Sequence, residues 1–194
     1  MNINILGIDI AKSVFQLHGI DKMGNAVLNK RLTREKLLPF IAQLPPCLIV
    51  MEACGGANYW SRQFVARSHQ VKLISPQYVK PFVKTNKNDH NDVVAITEAA
   101  SRPSMHYVAP KSIEQQDIQS IHRIRERFIA NRTAVANQIR GLLAEYGIVV
   151  AKGLGYLRKQ LPLMLEDAEN ELTVSGRELF ADLYQELCHL DQKN

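Results

Sequence analysis

The chain has 194 residues, 46% of them hydrophobic, and a formal net charge of +5. That is enough apolar material for one ordinary domain with an appendage, and it excludes wholesale disorder. Three cysteines without paired spacing exclude a disulfide framework, and no apolar run reaches the ~20 residues of a membrane span, so the expected setting is cytoplasmic.

Residues 3–10 are β-branched and nearly continuous in apolar character, the pattern of a strand buried on both faces. Residues 13–20 alternate, with Phe15 and Leu17 on one side and Gln16 and His18 on the other. A turn over 21–25 leads to a third strand over 26–32, and the short connections make the three an antiparallel meander. Thr33 is placed to cap a helix whose apolar stripe is Leu37, Leu38, Ile41 and Leu44. Pro39 should bend this helix or confine it to its later turns, and Pro45-Pro46 ends it. Residues 47–51 form a buried fourth strand with Glu52 at its C-terminal end. Gly55-Gly56 turns the chain into a helix over 58–68, and residues 71–75 are a fifth strand, stopped by Pro76.

The order βββαβαβ predicts an α/β, ribonuclease H-like fold with a mixed five-stranded sheet and flanking helices. A Rossmann fold, which begins with a helix after its first strand, fits less well. Residues 86–91 are polar and loop-like, and 92–101 have helical spacing. From 112 to 146 apolar residues recur at steps of three and four, which predicts one helix roughly 50 Å long. Its single seam suits either a coiled-coil partner or packing along its own domain. Residues 156–190 are helical again, with Pro162 as a kink. The expected division is a first domain over 1–108 and a helical, coiled-coil-type segment over 109–194.

Charge is unevenly spread. No Asp or Glu lies between Glu52 and Asp89, a stretch that holds Arg62, Arg67, Lys72, Lys80, Lys84 and Lys87. Beyond Gly153 there are eight acids against four Lys and Arg. A basic centre beside an acidic tail suits a nucleic-acid face; the plainer alternative is a solvated surface. Arg123 and Arg127 on the long helix, and Lys12 after the first strand, join Lys72, Lys80, Lys84 and Lys87 as candidate phosphate contacts. Lys12 is equally explained as a solvated turn lysine, and the arginines of the long helix have solubility as their alternative.

Asp9 is the one charged residue within 3–10. An acid near the end of a buried strand needs a partner, because desolvating an unpaired carboxylate is costly. A cation supplies one; a turn at Ala11-Lys12 or the Lys12 ammonium would also serve. In a ribonuclease H-like sheet the first and fourth strands are adjacent and parallel, so their ends bring Asp9 and Glu52 together. Facing carboxylates repel unless a proton or metal intervenes. Asp89 and Asp92, three apart, share a face if a helix starts near Asp89, which alternatively serves only as its cap. Four carboxylates suit Mg²⁺ or Mn²⁺, and a pair of such ions supports phosphodiester chemistry. The histidines have no zinc-like spacing; His90, between two acids, reads as their neighbour or as surface loop.

Several segments, in order, carry a family resemblance: Gly7-Ile8-Asp9-Ile10-Ala11-Lys12, Met51-Glu52-Ala53-Cys54-Gly55-Gly56-Ala57, Lys87-Asn88-Asp89-His90-Asn91-Asp92, Glu98-Ala99-Ala100-Ser101-Arg102-Pro103, Gln115-Gln116, His122-Arg123 and Arg140-Gly141-Leu142-Leu143. The chain resembles the insertion-sequence transposases named for an Asp-Glu-Asp-Asp tetrad, whose better-studied members are RNA-guided recombinases and whose pattern related site-specific invertases share. The resemblance implies a RuvC-like domain in which Asp9, Glu52, Asp89 and Asp92 bind Mg²⁺ for DNA strand cleavage and exchange. It also implies a guide RNA as partner, and a coiled coil joining the chain into a homodimer or higher oligomer. Nucleoid association when active follows from the same likeness. Members of this family continue into a C-terminal domain with a serine nucleophile. That domain is expected to be missing here, which leaves the chain incompetent for transposition alone.

Two other readings compete: a free-standing structure-selective endonuclease, and a non-catalytic nucleic-acid-binding dimer. An actin-like sugar kinase also opens with an Asp-bearing strand, but its phosphate loop wants glycine where Ile10-Ala11-Lys12-Ser13 stands.

Overall fold

The meander forms as read: β1 (Ile5–Ile10), β2 (Val14–Ile20) and β3 (Ala26–Thr33) pair antiparallel in sequence. β4 (Leu48–Glu52) adds parallel to β1, and β5 (Gln70–Ile74) adds parallel to β4. The structure is a computed structural model describing residues 2–83 and 89–193. Strand order β3-β2-β1-β4-β5 is the ribonuclease H-like arrangement, fixed here by register and direction of pairing.

The sheet has six strands rather than five. β6 (Tyr107–Val108) pairs antiparallel with the outer edge of β5, Leu73 opposite Val108 and Ile74 opposite Tyr107. Two residues are too few to show a strand period in sequence. Tertiary partners hold them: the Tyr107 hydroxyl donates to the Ala100 carbonyl at 3.0 Å, and the Lys72 ammonium sits 4.3 Å from the Tyr107 ring centre.

Both sheet faces are buried, which is why β1 and β4 read as continuous apolar runs. On one face Leu6, Ile8, Phe15, Leu17, Ile49 and Met51 meet Leu37 and Ile41 of α1 (Arg34–Ile41) and Trp60 and Phe64 of α2 (Ala57–Val65). On the other, Ile5, Ile20, Val50 and Ile74 meet Ala95, Ile96 and Ala99 of α4 (Asp89–Ala100). Of the two expectations for Pro39, confinement to the later turns is not met: α1 continues through it. Pro39 removes only the N–H that would bond the Glu35 carbonyl, and both residues are exposed, so water can take that carbonyl. Buried Leu37 and Ile41 hold the turns on either side.

The stretch after β5, to which the sequence assigns no regular element, coils. α3 (Pro76–Val79) runs into a 3₁₀ turn over Lys80–Phe82. Proline at the first helical position has its φ preset, extended Ser75 precedes it, and Val79 is buried beneath.

By contact, the chain divides into two compact units, residues 1–112 and 113–194. The second contains α5 (Ile113–Ala144), α6 (Leu154–Glu166) and α7 (Val174–Gln192). Pro162 does not interrupt α6; the break falls at 167–173. There, side chains compete with the backbone for hydrogen bonds. Asp167 accepts from Glu169 N at 3.0 Å, Asn170 from Leu172 N at 3.1 Å, and Thr173 caps α7 by accepting from Gly176 N at 3.1 Å. The core of this unit joins Val135, Ala136, Ile139 and Leu143 of α5 to Leu157 and Leu161 of α6 and to Phe180 and Leu187 of α7. Ile113, Ile118, Ile121 and Ile124, in the N-terminal half of α5, are exposed. No helix among the described residues is long and apolar enough to cross a membrane.

Candidate metal centre

Side chains alternate along a strand, so the core assignments fix where Asp9 and Glu52 point. In β1, Leu6 and Ile8 enter the α1/α2 core, whereas Ile5 enters the α4 core. Asp9 shares the parity of Ile5 and Gly7 and therefore faces the α4 side. In β4, Val50 belongs to the α4 core and Met51 to the other, so Glu52 also faces α4. The last parallel pair between these strands is Ile8 with Met51. One step further, Asp9 and Glu52 stand side by side at the C-terminal ends of neighbouring strands, which are about 4.8 Å apart in any sheet.

α4 brings the third acid. Asp92 lies one turn before buried Ile96, on the side of the helix that meets the sheet. The approach is close because Gly7 has no side chain: a Cβ there would lie 3.1 Å from the Val93 carbonyl oxygen. Two cross-links orient the helix. Thr97 Oγ1 donates to the Val94 carbonyl at 2.8 Å, so it is His18 Nδ1–H that donates to Thr97 Oγ1, also at 2.8 Å. Near the helix start, Gln16 Nε2 donates to Asn29 Oδ1 at 2.7 Å and Asn29 Nδ2 donates to His90 Nδ1 at 3.2 Å. Burial, and then the charge of His90, lower the His18 pKa below the usual imidazole value.

Asp9, Glu52 and Asp92 line one cavity of about 770 Å³ together with Ile10, Cys54, Pro76, Gln77, Val79, Lys80 and Val83. All three acids are half-buried. Burial pushes the Cys54 thiol up, and the charges of Glu52 and Asp9 push it further. Among the described residues, however, no three His, Cys, Asp or Glu side chains are gathered tightly enough to hold a metal ion. Asp89 opens α4, and its side chain lies outside the described set. The donor chemistry fits a hard divalent cation: carboxylate oxygens from three elements line one cavity.

Of the basic residues singled out in the sequence, Lys80 lines this cavity. Lys72 is pinned over Tyr107. Lys12 is exposed in the turn after β1, Arg123 is exposed on α5, and Arg127 stacks on the neighbouring Phe128 ring at 5.1 Å. Lys84 and Lys87 lie outside the described residues. Trp60 is core, edge-on to Phe15 at 5.0 Å. The sequence reading passed over Gln77 and the packing role of Gly7. An isolated glycine in an apolar strand was the available sign of close backbone approach. Gln77, one turn from Lys80 behind a helix-starting proline, left a fainter one.

Strand order and the acidic cavity define the class: a ribonuclease H-like domain with carboxylates at the C-terminal ends of its central strands. The model of the IS110-type DEDD family, described as "Transposase", matches residues 6–148, and the chain belongs to that transposase family. It is similar to the transposase for insertion sequence element IS1111A of Coxiella burnetii, 48% identical over 191 residues, covering 98% of this chain and 52% of that protein. It is likewise similar to the transposase for insertion sequence element IS1328 of Yersinia enterocolitica, 41% identical over 189 residues, covering 97% of this chain and 56% of that protein. The chain thus spans about half the length of the curated relatives it matches. Among solved structures, RuvC of Thermus thermophilus aligns over 54% of this chain and 99% of its own, with a TM-score of 0.37 and 11% identity.

Proposed function

We propose that this chain supplies the metal-dependent nuclease part of a transposase acting on DNA, with Asp9, Glu52, Asp89 and Asp92 as ligands for Mg²⁺ or Mn²⁺. One observation carries the reading: Asp9 and Glu52 emerge side by side from adjacent parallel strands on the face where α4 contributes Asp92 to the same cavity. A divalent cation bound there would supply positive charge to phosphoryl oxygens and lower the pKa of a coordinated water. Asp9 and Glu52, fixed by the sheet, orient that charge. Lys80, the only cation among the described residues lining the cavity, attracts the phosphate backbone.

DNA and a structured guide RNA are the proposed nucleic-acid partners, by family likeness together with the basic stretch between Glu52 and Asp89. Self-association is assigned to the N-terminal half of α5, where Ile118, Ile121 and Ile124 form an exposed apolar seam. A non-catalytic nucleic-acid-binding dimer is the second reading, favoured by the lack of a tight three-acid group among the described residues.

Thermal unfolding with and without Mg²⁺ or Mn²⁺ separates the two. At a cation concentration near 100 times Kd, linkage adds about 2.7 kcal/mol to the folded state. The wild-type chain gains such a shift, while Asp9→Asn and Glu52→Gln keep the fold and lose it. An identical metal response in wild type and variants sinks the assignment. Nicking of branched DNA by the wild-type chain alone, lost in Asp9→Asn, would identify an endonuclease that needs no further domain.

A further inference from the structure

The cavity is far larger than a metal site needs, and most of its lining among the described residues is not acidic. Its volume is about 770 Å³, several times that of a hydrated ion, whose waters take roughly 30 Å³ each. Besides the acids, the described lining comes largely from α3 and the turn after it. Pro76 and Val83, over buried Val79, make an apolar surface, which Ile10 extends. Gln77 and Lys80, three residues apart and both exposed, put an amide and an ammonium on one helix face at the rim. An apolar lining that also carries a hydrogen-bonding amide, a cation and carboxylates matches one ligand chemistry. A nucleobase has apolar faces and a polar edge, and its 5′ or 3′ phosphate needs positive charge.

We propose that this cavity receives a single unstacked nucleotide, its base against Pro76 and Val83, its edge on the Gln77 amide and its phosphate between Lys80 and the acidic end. This rests on the nuclease reading above and gives that site its substrate unit: strand scission next to a nucleotide drawn out of the base stack. Gln77 acts here as a positioning residue, since an amide presents a donor and an acceptor together to a base edge. Paying for unstacking is easiest at a branch, nick or single strand, so the site favours DNA that is already distorted.

A single-stranded oligodeoxyadenylate with one central 2-aminopurine tests this, with the 194-residue chain and Mg²⁺. Stacking between adenines quenches the probe, and entry into a slot with no aromatic ring among its described lining residues restores its emission. Wild type is expected to brighten the probe severalfold on binding, the signature of a base leaving its stack. Gln77→Ala should weaken binding about tenfold, the loss of one base-edge pairing. Gln77→Trp, at an exposed position, fills the slot and should abolish the brightening while binding through the backbone persists. Replacing the probe by an abasic residue should cost affinity in wild type and nothing in Gln77→Trp. Binding without brightening, or equal affinity for abasic and intact strands, overturns the nucleotide slot and leaves the nuclease reading standing. Absence of any DNA binding overturns both.

Discussion

Gly7 of β1 and Thr97 of α4 are so close that a Cβ on Gly7 would meet Thr97 Cγ2 at 2.6 Å. This contact sets the distance between the strand that carries Asp9 and the helix that carries Asp92. Gly7→Ala should destabilise the first unit by about 1–3 kcal/mol, the usual cost of overpacking. Thr97→Ser removes the methyl and keeps the hydroxyl, so the double variant should recover part of the loss in denaturant unfolding. Recovery stays partial because the Val93 carbonyl would still lie 3.1 Å from the new Cβ.

His18 gives that same interface a pH dependence. Its pKa in the fold is lowered by burial and by His90, so the unfolded chain holds a proton that the folded chain releases. Stability therefore rises with pH up to about the ordinary imidazole value near 6.5 and declines as pH falls below it. His18→Gln, whose amide still donates to Thr97, should flatten the dependence of melting temperature on pH between about 5 and 7. An unchanged slope would show that other groups set it.

In the second unit Asp191 binds two guanidiniums, Arg132 at 3.0 Å and Arg158 at 2.5 Å, and its side chain is only 15% exposed. Asp191→Ala leaves both arginines without their shared acceptor and should cost about 1.5–3 kcal/mol. Arg158→Ala should cost less, because Arg158 is 43% exposed and Arg132 still satisfies the carboxylate. Urea unfolding of the two variants checks the order.

Nucleic-acid affinity should fall steeply as salt rises, since phosphate contacts release counterions. Lys80→Ala should reduce the slope of log affinity against log salt by about one. Lys12→Ala tests the exposed turn after β1 in the same way. A flat response to salt in the wild-type chain would remove the basic stretch as a phosphate track.

Local pattern was enough to make the meander, the buried strands ending in Asp9 and Glu52, and the long helix α5 legible. Burial on both sheet faces leaves continuous apolar runs, and an acid interrupting such a run is conspicuous. The sequence order of strands and helices also led to the ribonuclease H-like arrangement, since few topologies accommodate a meander followed by two crossovers. It did not reveal β6, whose two residues depend on the β5 edge and on Tyr107. Nor did it reveal the coil over residues 76–82, where buried Val79 decides.

What the sequence by itself determined was which residue types stand at which strand ends: carboxylates after two apolar runs and a glycine in the first of them. Only the tertiary structure decided that Asp9, Glu52 and Asp92 share a cavity with Gln77 and Lys80. That juxtaposition depends on strand register and on how closely α4 approaches Gly7, and both are set by packing between segments far apart in the chain.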